Sequence, residues 1–472
     1  MPERTPSAYL EALRPVVTKA VGILARRYGY TSALGTDDRG ISFAATPGET
    51  RTGEPIWVQR GFVFRAQHEG KVAEYACAKL PSEEPGALAE AVAAELDPLF
   101  ASGKGTLTYP PIPDEPASKR FVGSLKIDPF TADPEAVLSR LSALRDTLID
   151  GKVVVMAQAR ADFVDVSRIF VSPHRDLGQS FAWSQAYLFG VARKGHDSRM
   201  SYRSVSGRNG LEVLDELEGK MPDLREELAS LLSAEKIEPG EYEVILDPDV
   251  AGTLAHEAFG HGVETDMFFR KRAKAVEYLG KRVGSDLVTM YDGADGVDHT
   301  GSFLFDDEGN SGTKTKVIDR GILLGGISDT LSALALGIPL TGNGRREAFS
   351  HKAYARMTNT YFAPGESRYA DMVASVKKGW LLTKLESGME DPRNWGIQLV
   401  CMVGKEIVDG KFTGKVASPV ICSGYVPDVL SAIDMVSGDF WLAGSGACGK
   451  GHKELVKVSS GGPYVKTRMR LG

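Results

Sequence analysis

The chain has 472 residues, more than a single hydrophobic core normally organises, so two or more domains are expected. Hydrophobic residues at 42% and charged residues at 25% are ordinary for a globular chain and exclude wholesale disorder. A net charge of −6 without a long Lys/Arg run argues against nonspecific nucleic-acid binding, and the short basic groups Arg270-Lys271-Arg272 and Arg345-Arg346 read as solvated surface.

Four scattered cysteines, Cys77, Cys401, Cys422 and Cys448, are too few for a disulfide framework in a chain this long. The first residues lead into a charged amphipathic segment with no signal-peptide pattern, and the longest apolar stretch, residues 331–340, is too short to span a bilayer. A cytoplasmic, reducing location with no membrane association is therefore expected.

Taken in order, Tyr9 to Leu24 reads as a helix. Leu10, Leu13, Val17, Val21 and Leu24 form one apolar stripe, although Pro15 interrupts the first turns. Strand-like runs follow at 41–45, 57–66 and 72–76, then a helical pattern at 85–100. Asp133-Pro134 supplies a capping carboxylate and a first-turn proline for a helix buried through Val137, Leu138, Leu141, Leu144 and Leu148. Further strands are expected at 153–159, 167–171, 181–190 and 198–204, with helical segments over 210–232.

The polar run 235–240 ends in Pro239-Gly240 and marks a boundary. The expected organisation is α+β: a mixed N-terminal domain over 1–236, then a glycine-rich, strand-rich domain over 237–472 that carries a metal-binding helix. Residues 317–323 and 407–411 read as tight hairpins.

The chemistry lies in the segment from Asp247 to His261. His256-Glu257 opens an H-E-x-x-x-H pattern, one residue longer than the familiar zinc spacing H-E-x-x-H. An α-helix turns about 100° per residue, so five steps leave two side chains about 140° apart, against about 40° for four. Both imidazoles reach one ion only if the helix widens to i→i+5 bonding or ends, and Gly260 and Gly262 free the backbone to do so. A distorted turn is expected between Phe259 and Gly262.

Zinc suits imidazole and thiolate donors and in catalytic sites usually takes three protein ligands. The best third candidate is Cys448, set among small residues in Gly444-Ser445-Gly446-Ala447-Cys448-Gly449-Lys450, with His452 as a rival. Lys450 is suited to holding the sulfur as thiolate. Glu257 is the natural general base. Asn359 and Arg345-Arg346 are candidate oxyanion donors, with a structural role an at least equal alternative for each. A bare histidine pair is more often structural, and the other cysteines sit in strand-like, core-packing contexts. His68, His174, His196, His299 and His351 show no ligand spacing.

Several separated blocks resemble the TldD/PmbA family, specifically its metal-bearing TldD-type branch. His256-Glu257-Ala258-Phe259-Gly260-His261 with Glu264 and Asp266 matches HEAxGHxxExD. Asp306-Asp307-Glu308-Gly309, residues 341–347, residues 356–361 and Gly446-Ala447-Cys448-Gly449-Lys450 match four more blocks in the same order. The resemblance covers most of the second half and is looser in the first. It implies a zinc metallopeptidase with His256, His261 and Cys448 as ligands and Glu257 as base. It also implies peptide substrates held as an added β-strand in an enclosed cavity, and a dimer with itself or with a related metal-free member. The family pattern is left at His452, where Gln is common, and at 386–398, which lacks the usual glycine-rich run.

Overall fold

The computed structural model describes residues 3–102, 107–450 and 455–472. His452 lies outside the described residues.

The first half is built on one eight-stranded sheet drawn from residues 30–207. Its path runs Lys71–Cys77, Gln59–His68, Tyr30–Thr46, Val154–Val171, Arg175–Lys194 and Ala117–Val122, with Glu49–Gly53 and Asp197–Gly207 paired alongside. All pairings are antiparallel except that of Ala117–Val122 with Arg175–Lys194. Helices Ala8–Tyr28 and Pro85–Ala101 bury Leu10, Val17, Leu24, Leu88 and Val92 against Phe62, Phe64 and Ile169. Helix Pro134–Leu148 buries Leu141 and Leu148 in a second core with Phe43, Phe163 and Leu188.

The central strands are far longer than the sequence pattern suggests. The runs expected at 153–159 and 167–171 are one strand, Val154–Val171, and the run at 181–190 is the middle of Arg175–Lys194. Buried polar residues hide the continuity. Asp165 takes Arg4 and Arg39, and Asp162 takes Ser42 and Gln185, so groups that read as strand breakers are satisfied inside the sheet. The helical segments expected over 210–232 are two helices, Val213–Gly219 and Met221–Leu231, with Pro222 in the first turn of the second.

In the second half, five strands close on themselves. Gly240–Leu246 lies between Lys378–Asp391 and Val465–Leu471. The latter pairs with Val420–Tyr425, which pairs with Gly396–Val408, which returns to Lys378–Asp391. Leu382, Leu399, Cys401 and Cys422 belong to one fully buried cluster, with the two sulfurs 3.8 Å apart. Both expected hairpins are present, turning at Arg320-Gly321 and Asp409-Gly410 with positive φ. A six-stranded sheet completes this half, with Trp441–Ala443 at one end beside Ser459–Gly462.

Helix Pro248–Ala255 is wedged between the two sheets. A Cβ at Gly252 would stand 2.2 Å from the backbone nitrogen of Gly461, so only glycine permits this close approach of helix to strand. That contact fixes where the end of the helix points.

Candidate metal centre

The strand Gly240–Leu246 delivers the chain to Asp247, whose carboxylate accepts from the Val250 N–H at 2.9 Å and starts the helix. After Ala255 the helix widens into a π turn over His256–Gly260, in which the His261 N–H donates to the His256 carbonyl. A short 3₁₀ turn, His261–Val263, follows. The widening thus begins at His256, before the two glycines. It turns the imidazoles towards each other, with ring centroids 5.3 Å apart and planes at 88°.

Cys448 arrives from the far end of the chain on a two-residue strand paired with Val456-Lys457. Its sulfur lies 3.4 Å from His261 Nε2, and donor atoms of His256, His261 and Cys448 all fall within 4.8 Å of one another. His256 is buried, and its Nδ1 has no hydrogen-bond partner among the described residues.

Charge is arranged around the sulfur. Burial opposes a thiolate at Cys448, but His261 and His256 outweigh it and bring the thiol well below its ordinary value. Burial likewise opposes a charged His261, which Cys448 and Glu264 overcome, raising it well above the usual imidazole range. Two imidazoles and a thiolate converging on one point form a donor set that fits a zinc ion.

A second layer holds these groups. His261 Nδ1 meets Glu264 at 3.2 Å, and Glu264 also faces Lys450 at 3.0 Å and Arg356 at 3.7 Å. Burial would raise Glu264, yet Lys450 and His261 hold its carboxyl down at about 2. Arg356 donates to both the carbonyl oxygen and the sulfur of Cys448, at 2.8 and 3.3 Å. Lys450 bonds Asp266 at 2.6 Å and the Ala355 carbonyl at 3.1 Å.

His256 and Glu257 line a cleft of about 420 Å³ between the halves. Tyr187, Phe189 and Tyr202 form its wall on the first half, while Gly388, Ser445 and Ala447 lie on the second. Glu257 is half-buried and packs beside Gly388, where a Cβ would stand 2.9 Å from its Cγ.

A sequence model described as the PmbA/TldA metallopeptidase C-terminal domain matches residues 239–470. A zinc metalloprotease TldD homolog of Saccharolobus solfataricus is 30% identical over 303 residues, covering 63% of this chain and 67% of that protein. The chain belongs to the TldD/PmbA family of metallopeptidases. A metalloprotease of Methanocaldococcus jannaschii is 29% identical over 342 residues, covering 72% of this chain and 75% of its own length. The crystal structure of TldE from Thermococcus kodakarensis has the same fold, with a TM-score of 0.78 at 17% identity over 97% of this chain and all of that one.

The TldD/PmbA blocks divide between the centre and its supports. Glu264, Asp266, Arg356 and Lys450 surround the ligand-capable triad. The acidic turn does something else: Asp306 accepts the N–H groups of Glu308, Asn310 and Gly344, while Asp307 and Glu308 pair with Arg168 and Arg65 of the first half.

Several expectations are corrected by this geometry. Lys450 serves Glu264 and Asp266, while the sulfur is met by His261 and by the Arg356 guanidinium. Asn359 and the Arg345-Arg346 pair follow the structural alternative, donating to partners outside the lining of the cleft that holds Glu257. Asn359 is fully buried and donates to Gly293 and Ser302; Arg345 donates to the Met357 carbonyl. Arg346 is buried against Glu74 rather than solvated, because the first half covers it. Arg270, Lys271 and Arg272 are exposed, as surface residues should be.

Sequence reasoning also missed Glu390. It sits beside Gly262, and neither carboxyl oxygen has a hydrogen-bond partner among the described residues. Burial raises this carboxyl well above the usual range. Only its place in the atypical 386–398 segment marked it in the sequence.

Proposed function

We propose that this chain is a zinc-dependent peptidase that hydrolyses small or unfolded peptides held in the cleft between its halves. The observation that carries the reading is the convergence of His256, His261 and Cys448 within 4.8 Å, beside Glu257 on the cleft wall. His256, His261 and Cys448 would hold the zinc; when bound, it supplies Lewis acidity that polarises a peptide carbonyl and makes water more acidic. The Glu257 carboxylate takes a proton from the attacking water and delivers it to the leaving amine nitrogen. Glu264 and Arg356 keep His261 and Cys448 in place.

The domain division at 236/237 and a cytoplasmic location belong to the same reading. So does assembly as a dimer, with a second copy or with a metal-free relative. Binding as an added strand is supported by the end strand Trp441–Ala443, whose outer edge is unpaired among the described residues and whose continuation, Ser445–Ala447, lines the cleft.

The test is cleavage of an unstructured peptide mixture by wild type and Glu257→Gln, with products mapped by mass spectrometry and bound metal measured for both. The expected result is zinc in both proteins and cleavage by wild type alone. A chain that takes up no zinc on reconstitution would instead be a noncatalytic peptide-gripping subunit, and full activity in Glu257→Gln would make any metal structural. Light scattering of the chain, alone and with a metal-free relative, reads the assembly.

A further inference from the structure

We propose that Phe189, flanked by Tyr187 and Tyr202, is the floor of a subsite that takes an aromatic or large aliphatic side chain of the bound peptide. This rests on the peptidase reading above and adds a side-chain preference to it.

Along the strand Arg175–Lys194, successive side chains face opposite ways. Ala186 and Leu188 enter the core of the first half, so Tyr187 and Phe189 face the cleft. Phe189 pairs directly across strands with Tyr202, and Tyr187 with Ser204, which also faces the cleft. The outward face of a sheet normally carries polar residues. Here three half-buried rings stand in a row, with centroids 5.9 Å apart between Tyr187 and Phe189 and 5.5 Å between Phe189 and Tyr202.

The polar ends of these rings are already engaged. The Tyr202 hydroxyl donates to the Leu385 carbonyl at 3.0 Å, and the Tyr187 hydroxyl donates to the Ser445 carbonyl. Each tyrosine is thereby tied to one wall of the cleft, which fixes ring orientation before any peptide arrives. What remains facing the cleft between them is the apolar surface of Phe189. Aromatic rings favour offset-stacked or edge-on partners at such spacings, and an aliphatic side chain gains by losing water there.

The floor extends under a second hollow of about 490 Å³, which shares Tyr187, Phe189, Ser445, Gly446 and Ala447 with the first and has Ile56 and Trp57 on its rim. Phe189 therefore borders both hollows, and the first of them is also lined by His256 and Glu257.

The test compares two unstructured peptides identical except that one carries Phe where the other carries Ser. For wild type, kcat/KM for the Phe peptide should exceed that for the Ser peptide by roughly tenfold, the scale of discrimination available to an apolar pocket. Phe189→Ala should bring the ratio near one, and Phe189→Leu should move the preference from Phe towards Leu peptides. Unchanged ratios in a folded Phe189→Leu protein overturn the subsite. Fluorescence anisotropy on Glu257→Gln separates the two readings. If neither peptide is cleaved by wild type but the Phe peptide binds Glu257→Gln more tightly than it binds Glu257→Gln/Phe189→Ala, the peptidase reading falls and the subsite stands. Cleavage of both peptides at equal rates removes the subsite alone.

Discussion

Glu264 holds His261 from the side opposite Cys448, one imidazole nitrogen facing the carboxylate and the other the sulfur. A carboxylate on the outer nitrogen fixes the ring's tautomer and orientation, and loss of such a partner typically costs 10–100-fold in metal affinity. Glu264→Gln keeps the shape and removes the charge shared with Lys450 and Arg356. It should weaken zinc binding by about 10–100-fold, read by chelator competition. Cys448→Ser should weaken it further, because it replaces an anionic thiolate with a neutral hydroxyl, a far poorer zinc ligand. Equal affinity in Glu264→Gln and wild type would mean that the ring is held by packing alone. At this scale the sequence was informative about residue type and spacing: the fold brings His256, His261 and Cys448 together, and Glu257 lines the adjoining cleft. It was uninformative about supports. Arg356 lies 92 residues from Cys448, and no local pattern couples them.

The helix end shows why spacing and geometry had to be argued together. A spacing of five positions between ligands calls for an i→i+5 turn, and the π turn at His256–Gly260 provides it. Gly260 has a second reason to be glycine, since a Cβ there would stand 2.0 Å from the Met357 sulfur, inside a fully buried cluster. Gly260→Ala should therefore destabilise the fold by roughly 1–3 kcal/mol, the usual cost of overpacking, and lower zinc occupancy. Gly22, exposed in helix Ala8–Tyr28 with no neighbour near its would-be Cβ, is the contrasting site. Gly22→Ala should stabilise by about 0.5–1 kcal/mol, because alanine has the higher helix propensity. Urea unfolding of both variants checks the pair, and a stabilised Gly260→Ala would refute the packing argument. Helices were legible because their stripes are apolar and their caps local. The long strands were not, because Asp162, Asp165 and Ser167 sit buried in the middle of Val154–Val171 with partners supplied by distant segments.

At the level of the whole molecule, the cleft exists only while the two halves stay registered, and buried ion pairs span them. Glu74 of the first half meets Arg346 of the second as well as Arg65, and Arg65 in turn meets Glu308 at 2.5 Å. The contacts of Glu74 with Arg346 and of Arg65 with Glu308 join residues more than two hundred positions apart, which is why Arg345-Arg346 read as surface from the sequence alone. Burial would raise Glu74, but Arg65 and Arg346 outweigh it and hold the carboxyl at about 2, against an ordinary 4.5. Its folded value is depressed, so its contribution is present above pH 4.5 and is lost as pH falls towards 2. At about 1.4 kcal/mol for each tenfold change in proton affinity, that contribution is of order 3 kcal/mol near neutrality. Glu74→Gln should therefore be less stable than wild type by roughly that amount at pH 7, with the gap closing as the pH is lowered through this window. Urea unfolding of both proteins at neutral pH and near pH 3 measures it. A gap that stays constant across the two conditions would show that Glu74 acts through shape rather than charge. A gap that closes would make the registration of the halves, and with it the wall of Tyr187, Phe189 and Tyr202 opposite Glu257, dependent on an ionised Glu74.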